Sequence, residues 1–167
     1  MKLSVKLGIF FSVLIAGLSS SAGAEQFETK VPMRDKGVAT YYVSGEIDGY
    51  GTVEFMVDTG SGYMTINEQT LLALLERNQA VYVRLLEAVL ADGKRTQVPV
   101  YTLSRINIGG QCWVHNVEAA VFPGKTRQIL GLSALKTVSP FIFSFDPPEL
   151  ILSHCGAVQQ TKLELEQ

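Results

Sequence analysis

The strongest constraint on this chain is the run from Phe55 to Gly62, in which apolar residues lead directly into Asp58 and then a Thr-Gly turn. Three large apolar residues in succession are typical of a buried strand. Gly60 permits backbone conformations that other residues avoid, or lets another segment approach closely. Burying a charged carboxylate beside a hydrophobic interior is costly unless it is paired, hydrogen-bonded or neutralised. We therefore expect Asp58 to be a functional residue, with an ordinary polar turn as the alternative.

The composition indicates one domain dominated by β-structure. The chain has 167 residues, of which 47% are hydrophobic, and a chain of this size has one usable core. Tyr, Phe, Val and Ile are plentiful, and turn signals recur at short intervals, a pattern that favours an all-β fold. Asp48-Gly49 and Asp92-Gly93 each separate two apolar runs and therefore predict hairpins.

A secretory signal peptide is predicted over residues 1–24. Lys2 and Lys6 precede an apolar run from Leu7 to Leu18, and small residues then lead to Ala24. This order is typical of a cleaved export signal, and the apolar run is short for a membrane span; an uncleaved anchor is the alternative. Cleavage after Ala24 leaves 167 − 24 = 143 residues, which we expect in the periplasm of a bacterium or secreted.

The charge of the mature chain argues against two classes of partner. Without Lys2 and Lys6 the basic count falls from 14 to 12 against 16 acidic residues, a net charge of 12 − 16 = −4. No basic run remains, so nucleic acid and anionic membrane surfaces are not expected partners. No stable membrane anchor is expected after signal cleavage.

Apolar periodicity and turn signals predict the elements of a domain at 39–155, between a loose segment at 25–38 and a polar tail at 156–167. Asn67 is expected to cap a helix. The core-facing stripe of that helix is predicted to be Leu71, Leu72, Leu74 and Leu75. The predicted strands are 39–47, 52–57, 81–91, 96–108, 112–121, 141–145 and 150–153, and the predicted helices are 68–77 and 133–138.

Three features of the chain together resemble the single-lobed, retroviral (retropepsin-like) type of aspartic protease. The apolar residues that lead into Asp58-Thr59-Gly60-Ser61 are similar to the active-site loop of that family. Residues 90–94 occupy the place of its flap hairpin. Ile129-Leu130-Gly131 matches the two apolar residues and the glycine that precede its C-terminal helix. The resemblance spans residues 39–153 and implies a closed β-barrel with a flap and one or two short helices.

The predicted hairpin over residues 141–153 departs from the retroviral enzymes, which end soon after the C-terminal helix with a single strand. The extension is similar to that of bacterial relatives of the family. It leaves the geometry of a dimer interface open.

The resemblance implies that peptide bonds are hydrolysed by a water molecule held between two carboxylates. Two carboxylates about 3 Å apart cannot both ionise, so they share a proton. The chain has one Asp-Thr-Gly, so the second Asp58 must come from a second copy across a twofold axis. The aspartates that lack this loop are Asp35, Asp48, Asp92 and Asp146. The expected partners are a second copy of the chain and a peptide or protein substrate, without a cofactor.

The resemblance also implies roles for individual residues. Asp58 is catalytic, Thr59 hydrogen-bonds across the dimer and Gly60 lets the two loops approach. Ser61 is expected to donate a hydrogen bond to the Asp58 carboxylate, which favours its charged form and predicts an activity optimum on the acidic side of neutral. The flap residues expected to hold substrate are Leu90, Ala91, Asp92 and Gly93. The residues expected to support the site are Ile129, Leu130 and Gly131. A non-catalytic peptide-binding or assembly module on the same dimeric fold is the alternative.

The two cysteines and two histidines fall into two local pairs, Cys112 with His115 and His154 with Cys155. An oxidising compartment favours a Cys112–Cys155 disulfide, and unpaired or intersubunit thiols are the alternative. A zinc site fits the composition. However, adjacent residues of one strand point to opposite faces, so we expect no metal. No Gly-x-Ser-x-Gly elbow supports a serine hydrolase.

Overall fold

The computed structural model describes residues 29–155, so the predicted signal peptide at 1–24 and the polar tail at 156–167 lie outside it. The described chain is mostly β-structure with three short helical segments. The strands are β1 Thr29–Pro32, β2 Arg34–Asp35, β3 Tyr41–Ile47, β4 Gly51–Val57, β5 Met64–Asn67, β6 Ala80–Val89, β7 Arg95–Ile108, β8 Cys112–Phe122, β9 Ile129–Leu130, β10 Phe141–Phe145 and β11 Pro148–Leu152. The helices are α1 Glu68–Glu76, α2 Leu132–Leu135 and a 3-10 turn at Lys136–Val138.

Six strands form a closed barrel in the order β3-β4-β9-β5-β8-β7, and β7 pairs back to β3. Within the barrel, the β4–β9 and β5–β8 pairs are parallel. The interior is filled by large apolar side chains that exclude solvent almost completely, among them Ile47, Phe55, Met64, Leu103, Ile106 and Leu130. The predicted closed all-β barrel is confirmed.

Closure of the barrel depends on a glycine in β3. Gly45 pairs with Ile108 of β7. A Cβ on Gly45 would lie 2.6 Å from the Phe55 ring and closer still to the Asn107 carbonyl oxygen. Because real Cβ atoms do not approach other heavy atoms this closely, β3 and β7 can pair in this register only around a residue without a side chain.

Helix α1 begins where the sequence predicts. The Asn67 side chain accepts a hydrogen bond from the Thr70 amide at 2.9 Å and caps the first turn. The predicted stripe of four leucines is wrong in half of its members. Leu71 and Leu74 are buried, whereas Leu72 and Leu75 are 63% and 41% exposed. Positions three residues apart share a helix face, and the narrow contact with the barrel covers one such pair.

A second, three-stranded sheet has the order β1-β11-β10. The expectation of a loose segment at 25–38 is wrong for the described residues 29–35, because β1 pairs with β11 and β2 pairs with β3. Thr29 and Val31 are buried and alternate with exposed residues. Val31 packs on Gly109, where a Cβ would lie 2.5 Å from the valine side chain. Four residues are too few to give a periodic signal in the sequence.

Cys112 and Cys155 form a disulfide. It joins the first residue of β8 to the chain just after β11 and so attaches the second sheet to the barrel. The structure therefore confirms the predicted disulfide and not the alternative of unpaired or intersubunit thiols. Within residues 29–155 no group of three or more His, Cys, Asp or Glu side chains has the geometry of a metal site. None of the helices in this range is long and apolar enough to span a membrane.

Candidate active site

Asp58 follows the last residue of β4 and is held by its own loop. Its carboxylate Oδ1 accepts a hydrogen bond from the Gly60 amide at 2.9 Å. The Asp58 amide donates to the Leu130 carbonyl at 3.2 Å, and the Ser61 amide donates to the Asp58 carbonyl at 3.3 Å. The Asp58 side chain is half-buried, while Thr59 and Gly60 at the loop tip are exposed. The loop therefore fixes the carboxylate and leaves its outer edge open.

Ser61 does not have the role that the sequence suggests. Its hydroxyl donates to the Tyr63 carbonyl at 2.7 Å and not to the Asp58 carboxylate. The chain turns back on itself after Gly60, which brings the Tyr63 carbonyl within reach of the hydroxyl. The single hydroxyl hydrogen is used in this bond. Ser61 therefore does not donate to Asp58, and it gives no ground for expecting an acidic activity optimum.

Ile129, Leu130 and Gly131 support the loop from behind. Strand β9 runs parallel to β4, with Met56 opposite Ile129 and Val57 opposite Leu130. A Cβ on Gly131 would lie 2.5 Å from the Tyr63 carbonyl carbon and closer still to the oxygen. The next residue, Leu132, donates its amide to the Ser61 carbonyl at 2.8 Å. The glycine is needed because backbone packs directly on backbone here.

A second support for the loop has no local signal in the sequence. The Ser133 hydroxyl accepts from the Met64 amide at 2.7 Å and donates to the Glu118 carbonyl at 2.6 Å. It thus links the start of β5 to β8 through a side chain of α2. Strand β5 itself was not predicted, because its first three residues are buried in succession and so show no alternation.

The predicted flap is the turn of the β6–β7 hairpin. The Leu90 amide donates to the Lys94 carbonyl and the Gly93 amide to the Leu90 carbonyl, both at 2.8 Å. Gly93 has a φ of +82°, which a glycine adopts without strain. Asp92 accepts a hydrogen bond from the Lys94 amide at 3.0 Å. Its side-chain and backbone hydrogen bonds with Lys94 lower the pKa of Asp92 below its usual value.

A cleft of about 430 Å³ separates the flap from the loop. Leu90 and Ala91 line it on the flap side, while Asp92 and Gly93 form the turn. Asp58 is the single acidic residue among the described residues that line it. The residues that line the cleft are Asp58, Gly60, Ser61, Thr65, Val89, Leu90, Ala91, Phe122, Thr126, Arg127 and Ile129. The cleft is thus mostly apolar, with one carboxylate and one guanidinium.

An adjoining pocket of about 290 Å³ continues under the flap. Leu86 and Ala88 of β6 line it from one side, and Ala120 and Phe122 of β8 from the other. Ala120 also packs against the buried Val98 and Val100 of β7 in a small apolar cluster separate from the barrel core. The cleft is therefore continued by a second, largely apolar surface on this side of Asp58.

Arg84 connects the first strand of the flap to β8 through an ion pair and to the Asp58 loop through a hydrogen bond. The Arg84 guanidinium donates two hydrogen bonds to the Glu118 carboxylate, at 2.9 and 2.6 Å, and a third to the Tyr63 hydroxyl at 2.7 Å. The hydrogen bonds to Glu118 raise the pKa of Arg84, and the guanidinium lowers the pKa of Glu118. This link could not be predicted from the sequence, because the three residues are far apart along the chain.

The other aspartates of the described chain do not line the cleft. Asp35 accepts a hydrogen bond from the Gly37 amide. Asp48 pairs with Arg105 at 2.8 Å. Asp146 lies exposed in the β10–β11 turn. Among residues 29–155, one copy of the chain therefore brings a single carboxylate to this cleft.

Comparison with known proteins identifies the family and the fold of this chain. Residues 43–137 match the protein family described as "gag-polyprotein putative aspartyl protease". A crystal structure of a retropepsin-like aspartic protease from Rickettsia conorii superposes with a TM-score of 0.53 at 22% sequence identity. The superposition covers 74% of this chain and 88% of that one. No curated protein shows significant similarity to the sequence.

Proposed function

The chain belongs to the gag-polyprotein aspartyl protease family, and from this premise we propose that it is an aspartic endopeptidase that acts as a homodimer. Asp58 from each copy would form the catalytic pair. The observation that carries the proposal is the position of Asp58, held in a preorganised loop and facing the flap across an apolar cleft.

The chemistry requires both copies. One carboxylate must be ionised to take a proton from the attacking water, and the other must be protonated to polarise the scissile carbonyl. Two carboxylates within about 3 Å share one proton and so supply both states. Since one copy places a single acidic residue in the described part of the cleft, a monomer is chemically incomplete.

The exposed loop tip fits the proposed twofold contact. Thr59 and Gly60 are exposed, and Thr59 is the proposed cross-dimer hydrogen-bonding residue. The Gly60 amide already holds the Asp58 carboxylate within its own copy. A Cβ on Gly60 would lie 3.1 Å from Asp58 Oδ1, so a glycine at this position keeps the space beside the carboxylate free.

The proposed reaction also requires that the bound substrate be covered. The flap is the element that would cover it. Leu90 and Ala91 lie across the cleft from Asp58. Closure of such a hairpin over a bound peptide excludes water and holds the backbone by strand-like pairing. We also propose that the protein acts in the periplasm or outside the cell, since a disulfide persists in oxidising compartments.

The test compares the chain lacking residues 1–24 with its Asp58→Asn variant on an unfolded protein substrate from acidic to neutral pH. We expect Asp58→Asn to lower turnover on the order of 10³-fold, since positioned acid–base groups contribute about 10²–10⁴. Asp146→Asn is the matched control, because it makes the same change at an exposed turn. Sedimentation measures the oligomeric state of each variant.

Two results would contradict the proposal. One is unchanged cleavage by Asp58→Asn. The other is cleavage by a species that stays monomeric with substrate bound. Equal inertness of the unmodified chain and Asp58→Asn, with the dimer intact, favours a non-catalytic peptide-binding module.

A further inference from the structure

We propose that Arg127 selects peptide substrates that carry an acidic side chain near the scissile bond. The inference rests on the proposed function of the cleft and names the class of substrate. It starts from the fact that Arg127 lines the same cleft as Asp58.

The outward face of β4 leads from the carboxylate to the arginine. Val53 and Phe55 of this strand are buried in the core, while Glu54 and Met56, which alternate with them, are partly exposed. Successive side chains of a strand alternate between its two faces. Met56 therefore occupies the outward position next to the loop that carries Asp58.

The Arg127 guanidinium lies over this position. Its Nη1 atom is 3.5 Å from Met56 Sδ and 3.5 Å from the Tyr42 hydroxyl. Tyr42 is the cross-strand partner of Met56, and Met56 pairs in turn with Ile129 of β9. The Arg127 guanidinium thus lies beside β4, and β4 pairs with β9, the strand that supports the Asp58 loop.

Within residues 29–155, Arg127 takes part in no ion pair, in contrast to Arg34, Lys36 and Arg84. Arg34 and Lys36 share the carboxylate of Glu54, and Arg84 is held by Glu118. The two contacts of Arg127 are long and go to a sulfur and a phenol. A guanidinium has five N–H donors in a planar fork, so most of its donors remain available to a ligand.

The surrounding charge favours an anion at this place. Lys36 lies 4.5 Å from the centre of the Tyr42 ring, to whose hydroxyl Arg127 also points. The group formed by Arg34, Lys36, Arg127 and Glu54 has a net charge of 3 − 1 = +2. A carboxylate binds a guanidinium through two parallel hydrogen bonds that are stronger than neutral ones. The twofold axis of the proposed dimer would place a second such group on the other side of the scissile bond.

The experiment measures kcat/KM on blocked peptides, acetylated and amidated at their termini, so that a side chain is the sole source of a carboxylate. Each position from four residues before to four after the cleaved bond carries Asp in one peptide and Asn in its pair. We expect the unmodified enzyme to prefer Asp at one position or more by about tenfold, as charge-assisted hydrogen bonds predict. The preference should fall with added salt.

Variants assign the preference to Arg127. Arg127→Gln is expected to reduce the Asp-to-Asn ratio to about one, and Arg127→Glu to invert it toward a Lys-containing peptide. Arg105→Gln is the control, because Arg105 pairs with Asp48 outside the cleft, and it should retain the ratio. Thermal melting verifies that each variant is folded.

Binding measurements separate this inference from the proposed catalysis. The Asp58→Asn variant should bind the Asp peptide more tightly than the Asn peptide, and a second change, Arg127→Gln, should remove the difference. Cleavage without any Asp preference overturns the role of Arg127 and leaves the protease intact. Preferential binding without cleavage overturns the protease and leaves the role of Arg127 intact. Equal affinity for both peptides, or no affinity for either, also overturns the inference.

Discussion

The loop that holds Asp58 and the flap that faces it are built in opposite ways. The loop is fixed from behind by backbone hydrogen bonds to Leu130 and Leu132 and by the packing of Gly131 on Tyr63. The flap ends in an exposed turn, where Val89 is 64% exposed and a Cβ on Gly93 would meet nothing within 4 Å. The side that carries the carboxylate is constrained by packing, and the side that faces it across the cleft is not. Substitutions that are similar in size should therefore have very different effects on the two sides.

The largest effect is expected from Gly131→Ala. The new methyl group would displace the Tyr63 carbonyl and with it the loop, which should cost about 3 kcal/mol of unfolding free energy and abolish turnover. Gly62→Ala is the matched control in the same loop, since a Cβ there meets nothing within 4 Å. Urea denaturation and a peptide assay measure both effects. Equal stability and activity of Gly131→Ala and Gly62→Ala would show that packing at Gly131 does not constrain the Asp58 loop.

A smaller effect is expected on the flap. Gly93 has room for a side chain but a φ of +82°, so Gly93→Ala should cost about 1 kcal/mol through backbone conformation alone. Gly93→Asn should recover part of this cost, because asparagine tolerates the left-handed region better. Thermal melts of the two variants measure the difference. Equal destabilisation by Ala and Asn would indicate a packing role for the turn that the structure does not show.

The smallest effect concerns the ion pair between Arg84 of the first flap strand and Glu118 of β8. Arg84 lowers the pKa of Glu118, so the pair stabilises the fold above the ordinary value of 4.5, and this contribution is lost as the pH falls through the folded-state pKa. The Glu118 side chain is about a third exposed, which limits the effect to less than about 1 kcal/mol. Relative to Glu118→Gln, the unmodified protein should therefore lose stability below about pH 4.5. A constant difference from pH 7 to pH 3 would show that the pair contributes nothing.

Local signals in the sequence predicted two hairpin turns and the start of a helix. The Asp-Gly dipeptides marked both hairpins, and Asn67 marked the start of α1. The barrel and the flap followed from resemblance rather than from periodicity. Strands of two to four residues, such as β1 and β5, were missed because neighbouring strands and not their own pattern decide their conformation.

Contacts between residues that are far apart along the chain could not be predicted from the sequence. Arg84 reaches Glu118 across 34 positions, and Arg127 reaches Met56 across 71. Ser61 had two acceptors within plausible reach, and the path of the loop decided between them. The cysteines likewise left three arrangements open until the fold brought their Cα atoms to 4.7 Å.

The Cys112–Cys155 bond has a consequence for how damage to this protein would be observed. The 43-residue separation makes a covalent ring that contains β9, Arg127 and the exposed stretch 123–127. A single peptide-bond break in that stretch would leave both fragments attached through sulfur. On a denaturing gel without thiol the nicked chain would still migrate as one covalently linked species, and a reductant would release two pieces. Self-digestion at this site would therefore be detected only after reduction.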